Sequence, residues 1–286
     1  MSALPPAREA FVLPREDVLL QEALDGLAAG LAHCTCPTGY HALWGALKAA
    51  GVNRGIYTEA PVLQRLIAPL LQAGGHALVA GAADAAGLEL LAACAGEAPM
   101  RFTVADQCPA PLMGVRHCAA ARGLAVETVQ SDLSRLPPPA EPWTLVFIHY
   151  TLSFMDAGLR RRVLGALAAG LAPSGTIVCC AKFGEPGERA SPQAWTDAMH
   201  ERLALVFAGH PEALAAIEPH LSAYSGNRSG RRAAQPGLDE LRADFAAAGL
   251  GVDEVHETGR GAWSHSAANP SPDRQTSLVL LARART

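Results

Sequence analysis

The sequence predicts an α/β fold: a doubly wound, mostly parallel seven-stranded sheet with a C-terminal antiparallel hairpin and an N-terminal helical cap. Three observations lead there. From Gly75 onward, short apolar runs alternate with helix-length stretches, the pattern of a parallel sheet with crossover helices. Before Gly75, apolar residues recur only at helical spacing and no alternating run appears. Near the C-terminus, the last two apolar runs flank a Gly-, Ser- and Pro-rich stretch without helical period, which favours antiparallel pairing.

Taken in chain order, residues 16–73 read as helical, with Leu20, Leu24, Leu27 and Leu31 on one face. Cys36-Pro37-Thr38-Gly39 breaks this region, because Pro and Gly both end helices. A second helix over 40–50 stops at Gly51, and a third over 60–72 opens on Pro61. Candidate strands then fall at 77–80, 101–105, 125–129, 144–149, 176–181, 252–257 and 277–282. Helices are expected over 85–95, 110–122, 158–171 and 238–248, and a Pro-rich loop joins strands three and four. Residues 1–74 form the expected cap. Residues 75–286 form the main domain, with an insertion at 184–235 that holds helical stretches at 192–208 and 211–223 and then a Gly/Ser/Arg-rich loop.

Composition narrows the function classes. With 286 residues, half of them hydrophobic, the chain can bury a full core. Charged residues are 17% and the net charge is −4, so no broad basic surface exists to neutralise phosphates, and a small-molecule substrate is expected in place of nucleic acid. The most apolar stretch, 163–172, is interrupted by Gly165 and Gly170 and stops at Pro173, short of the roughly 18 residues a membrane helix needs. No membrane partner is expected. Residues 1–15 carry prolines and both charge signs, unlike a signal peptide, and a cytoplasmic location is expected. Seven cysteines without framework spacing argue against a disulfide scaffold. Cys34 and Cys36 lack a second ligand pair at zinc-site spacing, so no metal site is expected. No oligomeric state follows from any of this.

Ligands of an open parallel sheet sit beyond the carboxyl ends of its strands, where strand order reverses. The turn after strand one, Gly81-Ala82-Ala83-Asp84-Ala85, is built from small residues and leads into a helix. It either lets a ligand lie against backbone N–H groups at a helix N-terminus, or is a tight turn with Asp84 as a plain cap. Asp106 ends strand two, about 25 residues beyond Gly81, with Gln107 next to it. A carboxylate there suits a ribose diol, and a solvated loop acid is the alternative. After strand three, Asp132 faces the rim where it can accept from an adenine amino group, with Leu133 on the ring face, or it merely starts a loop. Strand four ends in His149-Tyr150-Thr151-Leu152, and Leu171-Ala172-Pro173-Ser174-Gly175 precedes strand five.

This set of turns resembles the class I S-adenosyl-L-methionine (SAM)-dependent methyltransferases, over residues 75–183 and again in the hairpin at 252–282. The resemblance implies that SAM is the cofactor. Gly81 and Ala82 would pass its methionine part, Asp106 and Gln107 would hold the ribose side, and Asp132 and Leu133 would face the adenine. The turn departs from the family's glycine-rich pattern, with Ala83 and Ala85 where further glycines are common, and Asp84 is expected to meet the SAM amino group instead. NAD is the competing cofactor, but the full Gly-x-Gly-x-x-Gly pattern is absent.

For the reaction, methyl transfer to a small molecule leads. Attack at the amino acid carbons, as in aminocarboxypropyl transfer or cyclisation to azetidine-2-carboxylate, is the alternative, and a non-catalytic SAM-binding protein is the alternative of another class. His149 is the candidate general base, or a residue that orients its loop. Aromatic faces stabilise a sulfonium, and Tyr40, Trp44, Tyr57, Tyr150 and Tyr224 are the candidates, of which most are expected to be packing residues. Arg228, Arg231 and Arg232 form either a carboxylate clamp or a solvated loop, and Arg160-Arg161-Arg162 reads as the exposed face of a helix start.

Overall fold

The computed structural model describes residues 11–52, 55–183, 192–232, 236–260 and 276–285. Seven strands form one sheet in the order β3-β2-β1-β4-β5-β7-β6. They are β1 (Gly75–Ala80), β2 (Met100–Asp106), β3 (Val126–Gln130), β4 (Trp143–His149), β5 (Leu171–Phe183), β6 (Leu250–Arg260) and β7 (Thr276–Ala284). All neighbours are parallel except β7, which runs antiparallel to both β5 and β6. Each predicted strand is present. Side chains alternate across the sheet, and both faces are covered, so the central strands are apolar without interruption. In β1, Ala77 and Val79 face one core and Leu78 and Ala80 face the other.

The first core is closed by three helices: α3 (Ala60–Leu71), α4 (Ala86–Ala95) and α5 (Pro109–Arg122). Pro109 opens α5, where its missing N–H costs nothing, and Gly123 closes it in the left-handed region. The second core lies under α6 (Ala157–Ala169) and α9 (Leu238–Ala247). The Asp156 carboxylate caps α6 by accepting from Leu159 N at 2.8 Å.

A third cluster belongs to neither face. It joins α1 (Glu16–His33) and α2 (Tyr40–Ala49) to α7 (Pro192–Val206) and α8 (Pro211–Arg232), through Leu27, Leu43, Leu47, Trp195, Met199, Leu203 and Ile217. Gly30 of α1 lies against the backbone of Ala42, so closely that a Cβ would collide with it. Helix α3 packs on the sheet, whereas α1 and α2 pack with the helices inserted after β5.

Three local expectations are corrected. The Leu-x-Pro-x-Gly turn is absorbed into β5: Trp143 pairs with Leu171 and Leu145 with Thr176, a register irregularity that accommodates the extra residues. The segment read as a loop from Ser225 continues α8 to Arg232, since a helix once nucleated propagates cheaply. The side chains of Arg228, Arg231 and Arg232, and residues 261–275, lie outside the described residues. Arg160 is not exposed; it is buried, its guanidinium bonded to Asp244 at 2.7 Å, to Met155 O at 2.8 Å and to Glu240. Removing one partner of a buried pair costs about 3–5 kcal/mol, so this contact fastens α9 to α6.

Candidate cofactor and catalytic site

Strand order reverses between β1 and β4, and there the two turns touch. Gly81 has φ +82°, and a Cβ on it would stand 2.6 Å from Thr151 Oγ1. Only glycine combines that backbone with that proximity. Thr151 Oγ1 in turn donates to Ala80 O at 3.4 Å.

Asp106 bridges the rims of β1 and β2. Its carboxylate accepts from Ala82 N at 2.9 Å through one oxygen and from Cys108 N at 2.7 Å through the other. Burial pushes its carboxyl above the ordinary range, opposed by these two amides and by nearby His41. Gln107 is exposed beside it, and Gln130 Nε2 donates to its carbonyl at 3.4 Å. Asp132 is exposed and accepts from Ser134 N at 2.8 Å, capping a 3-10 turn over Leu133–Arg135; that bond holds its carboxyl below the ordinary range. Leu133 points down into the second core and so anchors the turn that carries Asp132.

Asp84 already has three donors. Lys48 Nζ and Trp44 Nε1 reach one oxygen at 2.8 and 3.0 Å, and Ala86 N reaches the other at 3.0 Å. Burial raises its pKa, but the Lys48 ammonium and these bonds outweigh it and the net direction is down. Lys48 is buried and also bonds Glu22 at 2.8 Å. Burial opposes its charge, the two carboxylates favour it, and its pKa ends above the ordinary value. Asp84 thus ties α2, and through Lys48 and Glu22 also α1, to the turn after β1.

At the end of β4, His149 Nε2 lies 2.9 Å from a carboxylate oxygen of Glu59, the buried residue preceding α3. Tyr150 donates its hydroxyl to the other Glu59 oxygen and lies 2.8 Å from Ser277 Oγ; Thr258 Oγ1 donates to Glu59 at 3.2 Å. Burial raises the Glu59 pKa, but His149, Tyr150 and the Lys182 ammonium outweigh it and leave the carboxyl below its ordinary value. Tyr150 has φ +57°, the one non-glycine residue in the left-handed region among the described residues. Such a conformation costs on the order of 1–3 kcal/mol and persists only where surrounding contacts enforce it. Burial and the Glu59 charge push its phenol well above the ordinary range, so it stays a donor. Lys182 lies over its ring at 5.1 Å.

The aromatic candidates divide by location. Tyr57 is buried, stacked on Phe11 at 4.6 Å, with Lys48 Nζ over its ring at 5.7 Å and its hydroxyl donating to Glu89 at 3.3 Å. Tyr40 and Tyr224 stack at 5.9 Å, with Trp44 and Trp195 against them, where α2 meets the inserted helices. The structure therefore brings His149 and Tyr150 to one carboxylate and sets Tyr224 on α8 of the insertion, against Tyr40 of the cap. Glu59 and Lys48 are the participants that sequence reasoning missed. Glu59 stands two residues ahead of Pro61 with no motif around it, and its proximity to His149, 90 residues away, leaves no local trace.

No protein-family model matches the chain, and no curated protein matches it by sequence. Solved structures do. A 1,6-didemethyltoxoflavin-N1-methyltransferase from Burkholderia thailandensis, with bound 1,6-didemethyltoxoflavin and S-adenosylhomocysteine, aligns over 100% of this chain and 94% of its own, with TM-score 0.51 and 15% identity. A SAM-dependent methyltransferase from Thiobacillus denitrificans in complex with S-adenosyl-L-homocysteine aligns over 85% and 98%, with TM-score 0.50 and 15% identity. One from Leishmania major aligns over 91% and 82%, with TM-score 0.50 and 9% identity. Together with the strand order and the antiparallel β7, these likenesses give the chain the fold of the class I SAM-dependent methyltransferases.

Proposed function

We propose that the protein is a SAM-dependent methyltransferase acting on a small-molecule acceptor, with His149 as general base and Glu59 as the residue that positions it. The observation that carries this reading is the buried Glu59 carboxylate beside His149 Nε2, at the strand end next to the reversal point.

The residues at the rim fit SAM by their donor set. Each Asp106 oxygen takes one amide bond and retains a lone pair, enough for two ribose hydroxyls. The glycine backbone at 81 leaves a gap that a side chain would close, and Asp132 keeps one oxygen for an amino group. When bound, SAM supplies an electrophilic methyl group. Glu59 accepts from His149 Nε2–H, and this fixes the tautomer in which Nδ1 carries the lone pair. Among the described residues Nδ1 has no hydrogen-bond partner, so it is the atom that takes a proton from a hydroxyl, amine or thiol. The imidazolium so formed is stabilised by the carboxylate behind it. Tyr150, a donor to the same carboxylate, holds that carboxylate in place. Asp84 serves as an anchor for Lys48 and Trp44, and the aromatics Tyr40 and Tyr224 offer a face for an apolar acceptor.

The test is to incubate the protein with SAM, alone and with panels of phenols, amines and thiols, and to identify the nucleoside products by mass spectrometry. Acceptor-dependent S-adenosylhomocysteine is expected. Methylthioadenosine formed from SAM alone would sink methyl transfer in favour of attack on the amino acid carbons, and neither product with SAM firmly bound would indicate a binding protein.

A further inference from the structure

Sequence spacing gives Cys34 and Cys36 no metal partners, yet the fold supplies two. His41, the second residue of α2, and Cys108, the N-cap of α5, converge on them, and the four ligand atoms all lie within 4.8 Å of one another. His41 Nδ1 is 3.6 Å from Cys34 Sγ and 3.4 Å from Cys36 Sγ. A tetrahedral zinc ion with bonds of about 2.3 Å to sulfur and 2.0 Å to nitrogen sets the N···S edge at about 3.5 Å and the S···S edge at about 3.8 Å. The nitrogen is therefore already at ligand distance from two sulfurs, and the remaining separations, none above 4.8 Å, need shorten by about 1.3 Å at most.

We propose that Cys34, Cys36, His41 and Cys108 form a zinc site that latches the helical cap onto the cofactor-binding rim. Three thiols and one imidazole make a soft set that suits Zn²⁺ and disfavours Mg²⁺ or Ca²⁺. The surroundings already suit the bound form. His41 Nε2 lies 3.3 Å from Ala82 O, so the ring proton sits on Nε2 and Nδ1 presents its lone pair inward. Thr35 N donates to Cys108 Sγ at 3.4 Å, and Cys108 sits at the positive end of α5, where a thiolate is favoured. The left-handed Gly39 between Cys36 and His41 turns the chain so that both reach the same point. Binding replaces three thiol protons with one Zn²⁺ and releases those protons to solvent.

The placement gives the metal a consequence. Ala82, whose carbonyl faces His41, gives its N–H to Asp106, so the latch is one peptide unit from the carboxylate proposed for the ribose. Four protein ligands close the coordination sphere, which makes the ion structural and leaves no position for a substrate.

The first readout needs no cofactor and no turnover, so it stands or falls separately from the methyltransferase reading. Protein purified reduced, without chelator, is assayed for metals by mass spectrometry, and about one zinc per chain is expected. Cobalt exchanged into the wild-type protein should give the strong visible bands of a tetrahedral site together with sulfur-to-metal charge transfer. Cys108→Ser and His41→Ala should each lose most of the zinc, while Cys118→Ser, whose thiol lies elsewhere on α5, should keep it. The proposal is overturned by zinc below about one-tenth per chain with no tetrahedral cobalt spectrum in the reduced wild-type protein. A disulfide among Cys34, Cys36 and Cys108 in protein purified without added oxidant would overturn it as well.

Discussion

The sheet rim and the helical cap use their polar groups in opposite ways. At the rim, Asp106 and Glu59 are held by donors from the elements around them, and each holds something in turn: a pair of amides for Asp106, an imidazole for Glu59. In the cap, Lys48 and Trp44 spend their polar ends on Asp84, and the contact with the inserted helices α7 and α8 is mainly aromatic and aliphatic packing. In the proposed function, the rim recognises the cofactor and moves a proton. The cap is fastened to the turn that begins at Gly81 through Asp84 and Ala82, and to the start of α5 through Cys108.

If that division holds, changes at the rim alter chemistry and cofactor affinity, while changes in the cap alter acceptor binding. His149→Ala is the sharpest break: kcat should fall about 10²- to 10⁴-fold while SAM affinity, measured by calorimetry, stays within about twofold. An unchanged kcat would remove His149 from the chemistry. Glu59→Gln comes next, with kcat reduced about 10- to 150-fold, the worth of a hydrogen bond to a charged group, and with the pH–rate profile displaced, which a merely structural role would leave in place. It has a second readout. The folded carboxyl titrates below its unfolded value, so it contributes stability at pH above about 4.5 that is lost as the pH falls through the folded pKa. The acid limb of the stability curve should therefore be shallower in Glu59→Gln than in the wild type.

Asp106→Ala should weaken SAM binding about 10- to 100-fold through the loss of charge-assisted bonds, with kcat at saturating SAM changed much less. Tyr224→Ala should have the smallest effect, raising the acceptor KM about 2- to 10-fold and leaving SAM affinity alone, in line with one stacked aromatic pair. Should Tyr224→Ala weaken SAM and spare the acceptor, rim and cap would not be separate units.

The two regions also differed in how much of them could be read from residues. All seven strands were legible, because a strand buried on both faces must be apolar throughout and its crossover helix must follow. The rim positions of Asp106 and Asp132 were legible because Asp106 ends β2 and Asp132 follows β3 by two residues, where topology sets the place of each. Leu133 was placed on a ligand face but fills the core, since its backbone turn aims it inward. Arg160 was read as a surface charge because nothing in its own helix shows that Asp244 lies beneath it.

What the sequence by itself determined was the alternation of strand and helix, the place of each turn on the rim, and the residue types each turn offers. Those follow from hydrophobic period and chain direction, which are local. The tertiary structure alone decided that Glu59 stands behind His149, that Asp84 holds Lys48, and that Cys108 meets Cys34, Cys36 and His41. Each of those pairings joins residues dozens of positions apart, through the packing of α3 on the sheet and the contacts of α1 and α2 with the turn after β1 and the start of α5, and no spacing rule reaches across such a gap.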